Sequence, residues 1–481
     1  MNQSKAKSLS YYKDIGFKCG IEIHQQLDGK KLFCSCPATN SKEKPDISIK
    51  RILRSVVGET GIVDNAAKYE SKKGKYFEYY ANSSDCCLVE LDCEPPHELN
   101  RDALNTALEV SQMLNMKIVD YIQFMRKTVI DGSNTSGFQR TALIATDGYI
   151  DTSLGKVRID TLCLEEEAAQ KLEDKADYTS YRLDRLGIAL IEIATSPDIK
   201  TPEHAKEVAE KIGLILRSTA KVKRGIGTIR QDVNISIKNS KRTEIKGFQD
   251  LKSIPKVIDN EIKRHQELIK KNVKIKDEVR KANPDFTTSF LRPMPGSARM
   301  YPETDIPVIK PDLTGISTIK PISQVIDELK SKFGLNEDTA KAIAKKNNAQ
   351  FFELLCTKYN NLKPSFIAET IISVPKELRR KHGIDIQHDD DFLDRLFAYL
   401  NDGKIAKDSI INIFIDYANN SLNFEKYKLI SADELEKAVK EIVYNNKGAT
   451  QGALMGEIMK KFRGKVDGKK ANELIKKYIN W

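Results

Sequence analysis

Four short stretches of this sequence place acidic groups and one imidazole where strand folding would bury them. In Phe17–His24, two-residue alternation sets Phe17, Cys19, Ile21 and Ile23 on one face of a strand and Glu22 and His24 on the other. The run from Gly187 to Ala194 is apolar except for Glu192 at its centre. A buried carboxylate without a partner is costly or loses its charge. Val157–Leu164 has the pattern of a third strand and runs directly into Glu165, Glu166 and Glu167. In the fourth stretch, Ile229, Val233, Ile235 and Ile237 alternate with Arg230, Asp232, Asn234 and Ser236. Carboxylates with a single imidazole form a hard donor set, better suited to magnesium or manganese than to zinc. A polar strand face is also the ordinary solvated side of an antiparallel sheet, and for the Arg230 strand that reading stays open. Glu192 differs, because its apolar run offers it no wet face.

The elements that must position these groups follow from pattern and punctuation. Residues 15–310 read as mixed α and β. A helix is expected from Asn100 to Met116, a second from the Thr201-Pro202-Glu203 start, and a third from about Ser253 into a lysine-rich end. Beyond Pro311 the strand signals nearly vanish and amphipathic helical patterns follow one another. Ser431-Ala432-Asp433-Glu434 is a capping-box start for a last helical segment. The expected class is therefore α+β: a mixed α/β cradle domain with an antiparallel sheet over 1–310, an all-α domain over 311–425, and a small helical tail over 426–481.

With 481 residues, 40% hydrophobic and 31% charged, the chain has ample material for several cores. No run of eighteen apolar residues occurs, and the first residues lack the apolar segment of a signal peptide, so a cytoplasmic location is expected. A net charge of +11 favours a polyanionic partner. Between Glu457 and Trp481, eight Lys or Arg stand against three acidic residues, which makes this tail a candidate for a phosphate backbone or simply a solvated helical face.

Eight cysteines in a chain this long exclude a disulfide scaffold. Cys34 and Cys36, with Cys86, Cys87 and Cys93 some fifty residues later, could assemble a structural zinc site, although C-x-C and C-C depart from the usual C-x-x-C knuckle. Buried thiols are the alternative. No Walker loop is present, and Gly225-Ile226-Gly227 lacks the third glycine of a dinucleotide fingerprint. The loop Gly132-Ser133-Asn134-Thr135-Ser136-Gly137, preceded by Arg126 and Lys127, concentrates hydroxyls and amides that could cradle a phosphate or carboxylate. It could equally be a turn.

Taken in order, Gly20–Leu27, Leu32–Pro37, Leu164–Glu167, Asp184-Arg185, Leu190–Ile193, Ile229–Asn234, Glu244–Lys246 and Arg299–Asp305 closely resemble the B/E subunit family of tRNA-dependent amidotransferases. Ile23–Leu27, Cys87–Asp92 and Arg292–Asp305 are most similar to the archaeal E-type members, and Gly452–Lys465 looks like the family's YqeY-type tail. One departure stands out. E-type members usually carry an inserted domain resembling part of bacterial aspartyl-tRNA synthetase, and only about a dozen residues separate Lys274 from Thr287, where it should lie.

The resemblance implies ATP-dependent conversion of Glu-tRNA(Gln) to Gln-tRNA(Gln), in which the glutamyl side chain is phosphorylated and ammonia then displaces phosphate. It implies magnesium held by His24, Glu165 and Glu192, with Glu22 and Glu166 close by. Arg230 would clamp a phosphate or carboxylate. Asp232, Asn234, Glu244 and Lys246 would line the same cradle, with Arg126, Lys127, Ser133, Thr135 and Ser136 on the nucleotide. No Ser-Ser-Lys amidase string is present, so ammonia is expected from an asparaginase-like D subunit, in an assembly of two D and two E subunits. Two alternatives remain: a B-type subunit working with an amidase A subunit, with Asp-tRNA(Asn) as a further substrate, and a non-catalytic tRNA-binding protein.

Overall fold

The alternating strands predicted around Glu22, Glu165, Glu192 and Arg230 all form, and they lie side by side. In the computed structural model the described residues are 8–39, 44–57, 61–248, 250–294, 300–314, 316, 320, 322–345, 349–384, 386, 390–462, 465–466 and 468–479. Residues 295–299 of the Arg292–Asp305 motif, and Arg463 and Gly464 of the tail motif, lie outside them. The chain divides into two compact units, Met1–Ile322 and Ser323–Trp481.

The first unit holds fifteen described strands. They begin with β1 (Lys18–Lys31), β2 (Ile47–Arg51), β3 (Tyr76–Ala81), β4 (Lys117–Ile118), β5 (Phe124–Thr128), β6 (Phe138–Thr152) and β7 (Gly155–Glu166). They continue as β8 (Gln170–Asp174), β9 (Tyr178–Arg182), β10 (Ile188–Thr195), β11 (Ile229–Ser236), β12 (Thr243–Lys246), β13 (Glu278–Ala282), β14 (Thr288–Pro293) and β15 (Met300–Pro302). A large sheet runs β14-β13-β12-β11-β1-β10-β7-β6-β5-β15, with β4 pairing β6, and a small sheet runs β2-β3-β9-β8. Pairing is antiparallel except for β12 with β13 and β3 with β9. The hairpin of β13 and β14 occupies the stretch where an inserted domain was expected.

One face of the large sheet is apolar. Ile21 and Ile23 of β1, Ile191 and Ile193 of β10, and Val233 and Ile235 of β11 are buried against helices α3, α4 and α5, which follow two short helices, α1 (Leu9–Asp14) and α2 (Asn65–Ser71). These three are Arg101–Met113, Pro202–Ser218 and Ser253–Lys270. Their ends follow the sequence signals: Asn100 caps α3, and the Thr201 side chain accepts from the His204 amide at the start of α4, with Pro202 in the first turn. Among its described residues the regular elements of the second unit are helices, with an isolated β-bridge between Ile405 and Lys428. Its last three helices, Ala432–Asn445, Gln451–Lys461 and Gly468–Tyr478, close on their own core of Leu435, Val439, Leu454, Ile458 and Ile475, and Ser431 caps the first by accepting from the Glu434 amide.

Candidate active site

Because the helices cover one face of the large sheet, alternate residues on the other face converge on a cavity. Cross-strand register decides which ones meet. His24 lies opposite Glu192 on one side and Arg230 on the other, Glu22 opposite Asp232, Leu190 opposite Glu165, and Asn234 opposite Glu244. The result is a cavity of about 980 Å³ lined by carboxylates from β1, β7, β10, β11 and β12, with Lys127, Arg230, Lys246 and Arg292 among them.

Two acidic clusters stand out. In the first, the ligand atoms of His24, Glu165 and Glu192 lie within 4.8 Å of one another, and His24 Nε2 is 3.1 Å from a Glu192 oxygen. Lys127 Nζ donates to Glu165 at 2.5 Å and lies 3.8 Å from Glu192. Burial opposes charge on both partners, yet His24 is raised by its bond to Glu192, and Glu192 is held well below the usual carboxylate range by Lys127 and His24. The second cluster is Glu22, Asp232 and Glu244, bridged by Lys246 at 2.5 Å from each of the last two. Burial and the neighbouring Glu244 push Glu22 up to about 7, although Asn234 Nδ2 donates to it at 3.0 Å. A third pair closes the floor: Glu167 accepts from both terminal nitrogens of Arg230, at 2.7 and 3.0 Å, in a bidentate clamp. The oxygen-rich donor sets fit a hard divalent cation.

The structure gathers Glu22, His24, Lys127, Ser133, Glu165, Glu192, Arg230, Asp232, Glu244 and Lys246 on this cavity. Asn234 supports it from behind Glu22. Four expected residues go elsewhere. Glu166 points to the opposite face of β7, since strand neighbours alternate, and is buried against Arg140. Arg140 Nε in turn donates to Glu303 at 2.7 Å, and Arg126 donates to Glu303 and Asp305, so Arg126 is committed to this ladder rather than to the cavity. The Thr135 hydroxyl is buried on the Glu90 carbonyl, and that of Ser136 donates to the Phe138 carbonyl. Their loop ties the two sheets together: Tyr79 and Tyr181 donate to the carbonyls of Gly132 and Asp131, and Ala169 donates its amide to the Ser133 carbonyl. Gly132, at φ +88°, sits so close to Phe77 that a β-carbon would come within 2.2 Å of its ring.

The thiol cluster is also rearranged. Cys34, Cys36, Cys87 and Glu90 bring their ligand atoms within 4.8 Å of one another, whereas Cys86 turns toward Asp85 and the buried Lys31 ammonium. Adjacent residues cannot both face one centre here, and Glu90 takes the fourth position. Three thiols and a carboxylate remain a donor set that fits tetrahedral zinc. Burial pushes the Cys34 thiol up, with Glu90 adding to it, and raises Cys36 to about 12. Sequence reasoning missed Glu90, Glu167, Arg140 and Glu303 as contributors. For Glu167 the signal was available, since it shares strand parity with Glu165.

The site defines a class: proteins that gather carboxylates, one imidazole and several cations on a single sheet face, the donors needed to work on phosphate and carboxylate groups. The chain belongs to the GatB/GatE family. The GatB/GatE catalytic domain model matches residues 17–316 and the GatB domain model residues 350–479. The chain is similar to the E subunit of the glutamyl-tRNA(Gln) amidotransferase of Methanocaldococcus jannaschii, at 38% identity over 97% of this chain and 99% of that protein. It is also similar to the corresponding E subunits of Methanococcus vannielii, at 37% over 96% and 97%, and Methanosarcina acetivorans, at 36% over 98% of each. The first alignment runs over 624 positions, and 624 less the 481 residues of this chain leaves at least 143 positions without a counterpart here. No described helix is long and apolar enough to cross a membrane.

Proposed function

We propose that this chain converts Glu-tRNA(Gln) to Gln-tRNA(Gln) in two steps within the carboxylate cavity. A free carboxylate is a poor electrophile, because ammonia would have to expel oxide. The side-chain carboxylate of the tRNA-bound glutamate therefore takes the γ-phosphoryl group of ATP, with release of ADP. Ammonia then forms the C–N bond as phosphate leaves with the C–O electron pair. The observation that carries this reading is the convergence of His24, Glu165 and Glu192 on one sheet face with Arg230, Lys127 and Lys246 beside them.

His24, Glu165 and Glu192 would hold magnesium, with Glu22, Asp232 and Glu244 supplying a second set of oxygens. The ion would neutralise charge building on the transferred phosphoryl group. The guanidinium fork of Arg230 is taken by Glu167 rather than left open for a phosphate or carboxylate, so Arg230 would hold Glu167 at the cavity wall and lend its charge there, while Lys127 and Lys246 orient anions over the two clusters. Zinc at Cys34, Cys36, Cys87 and Glu90 would have a structural role.

The domain division goes with this function: catalysis in 1–310, a helical connection in 311–425, and tRNA contact by the basic tail 426–481. Ammonia would come from an asparaginase-like D subunit, in an assembly of two copies of each chain. Cytoplasmic work on tRNA accords with these roles.

The test is conversion of labelled Glu-tRNA(Gln) by the full chain with ATP, magnesium and high ammonium. Glu192→Gln should abolish ATP-dependent activation with little loss of tRNA affinity. Unchanged turnover in that variant would remove Glu192 from the reaction.

A further inference from the structure

A second cavity shares a wall with the first. It has a volume of about 640 Å³ and lies between the small sheet and the edge of the large one, and Asp131, Lys246 and Arg292 line both. The two differ in charge. The carboxylate cavity carries seven carboxylates against four Lys or Arg, whereas the second carries Arg54, Lys73, Lys75, Lys171, Lys246 and Arg292 against three carboxylates. Formally that is −3 beside +3. Between the cations lie apolar surfaces of Ile52, Leu53 and Leu291. Arg292 stands at the partition on β14, and its Nε is buried without a hydrogen-bond partner among the described residues.

Cations interleaved with apolar surface, in a cavity of this size, suit a short run of single-stranded nucleic acid: phosphates take the charges and bases cover the apolar floor. We infer that the second cavity binds the phosphodiester chain of the unpaired 3′ end of the substrate RNA and leads its terminal aminoacyl group past Arg292 into the carboxylate cavity. The identity of that RNA rests on the function proposed above. The triphosphate of ATP offers the same phosphate chemistry, but the acidic cavity, where a metal ion can bridge phosphate oxygens, suits it better.

The experiment uses the full chain and two probes: a short single-stranded RNA ending in CCA, and ATP with magnesium. Each is titrated by direct binding at several salt concentrations. In the variant R54A/K73A/K171A the RNA dissociation constant should rise about tenfold, and the slope of log affinity against log salt should flatten by about 2, as expected for three lost contacts on a single strand. ATP binding should hold. Asp174 pairs with Lys75 and Lys171, so Asp174→Asn removes the carboxylate charge that competes for Lys171 and for Lys75, which keeps the Lys175 carbonyl, and should tighten RNA binding, a gain that damage to the fold cannot imitate. Weakened ATP with unchanged RNA would assign the cavity to the nucleotide and overturn the inference. No change in either would make it a solvated charged surface and overturn it as well. If RNA binding responds as expected while the wild-type chain never converts charged tRNA, the proposed reaction fails and the cavity assignment stands, because oligonucleotide binding needs no turnover.

Discussion

Replacing Arg140 with Met tests whether the back of β7 holds the front in place. Arg140 Nη1 donates to both oxygens of Glu166, at 3.2 and 3.3 Å, and its Nε donates to Glu303 at 2.7 Å. The side chains of Glu166 and Glu303 are 8% and 0% exposed. Removing one member of a buried ion pair costs about 3–5 kcal/mol, because a charge is left without compensation. Glu303 would keep Arg126 at 2.5 Å and the Asp305 amide at 2.9 Å. Glu166 would keep only the Arg140 backbone amide at 3.2 Å among the described residues, and burial already raises its carboxyl. The loss should therefore fall near the lower end, about 3 kcal/mol in urea denaturation, with amide exchange accelerating along β7. Adding Glu166→Gln removes the stranded charge and should restore about 2 kcal/mol of it. If R140M costs under about 1 kcal/mol, or the second substitution restores nothing, the ladder does not support the strand and the reasoning fails.

Gly132→Ala should destabilise the first unit by roughly 2–4 kcal/mol, from its positive φ and the contact with Phe77, and the loss should be smaller in a Phe77→Ala background; equal losses in thermal melts would deny the contact. Glu261 is buried, which raises its pKa, but bonds from His265, Arg264 and Thr288 lower it from 4.5 to about 2. Its stabilisation is present above the unfolded value and is lost as pH falls through the folded one, so about 3 kcal/mol should disappear between pH 5 and 2, and Glu261→Gln should flatten that part of the stability profile. Deleting 426–481 removes a segment with its own core. tRNA affinity and its salt dependence should both fall, while magnesium binding at the carboxylate cavity holds; unchanged affinity would make the tail a solvated surface only.

Much of the site was legible because strand parity is a local rule. Glu22 with His24, the lone Glu192, and the Arg230–Asp232–Asn234 face each declared themselves within eight residues. The same rule, carried three residues further, separates Glu165 and Glu167 from Glu166; grouping the run by charge put Glu166 in the metal set and left Glu167 out. The loop 132–137 divides between the cavity, which Ser133 lines, and its own surroundings, which take Thr135 and Ser136. Hydroxyl-rich turns that cradle anions and those that satisfy their own backbone have the same composition, and only the contacts of Thr135 and Ser136 separate them. Arg140 and Glu303 are 163 residues apart, so nothing in the sequence near either one announces the pair. Glu90 reaches the thiol cluster through a turn that also takes its carboxylate to the Cys87 amide, a geometry that cysteine spacing does not encode.

The end of β7 serves two masters. Glu165 and Glu167 face the carboxylate cavity while Glu166 faces the buried ladder. A slip of one residue would send Glu166 into the cavity and press two carboxylates against a back face where Arg140 now serves one carboxylate of β7 and Arg126 is already held by Glu303 and Asp305. Such a misfold would carry the right composition on the wrong side, and it would be rejected by charge before it could bind anything. The three consecutive glutamates thus act as a frame check on strand assembly: one register satisfies both faces, and a neighbouring register satisfies neither.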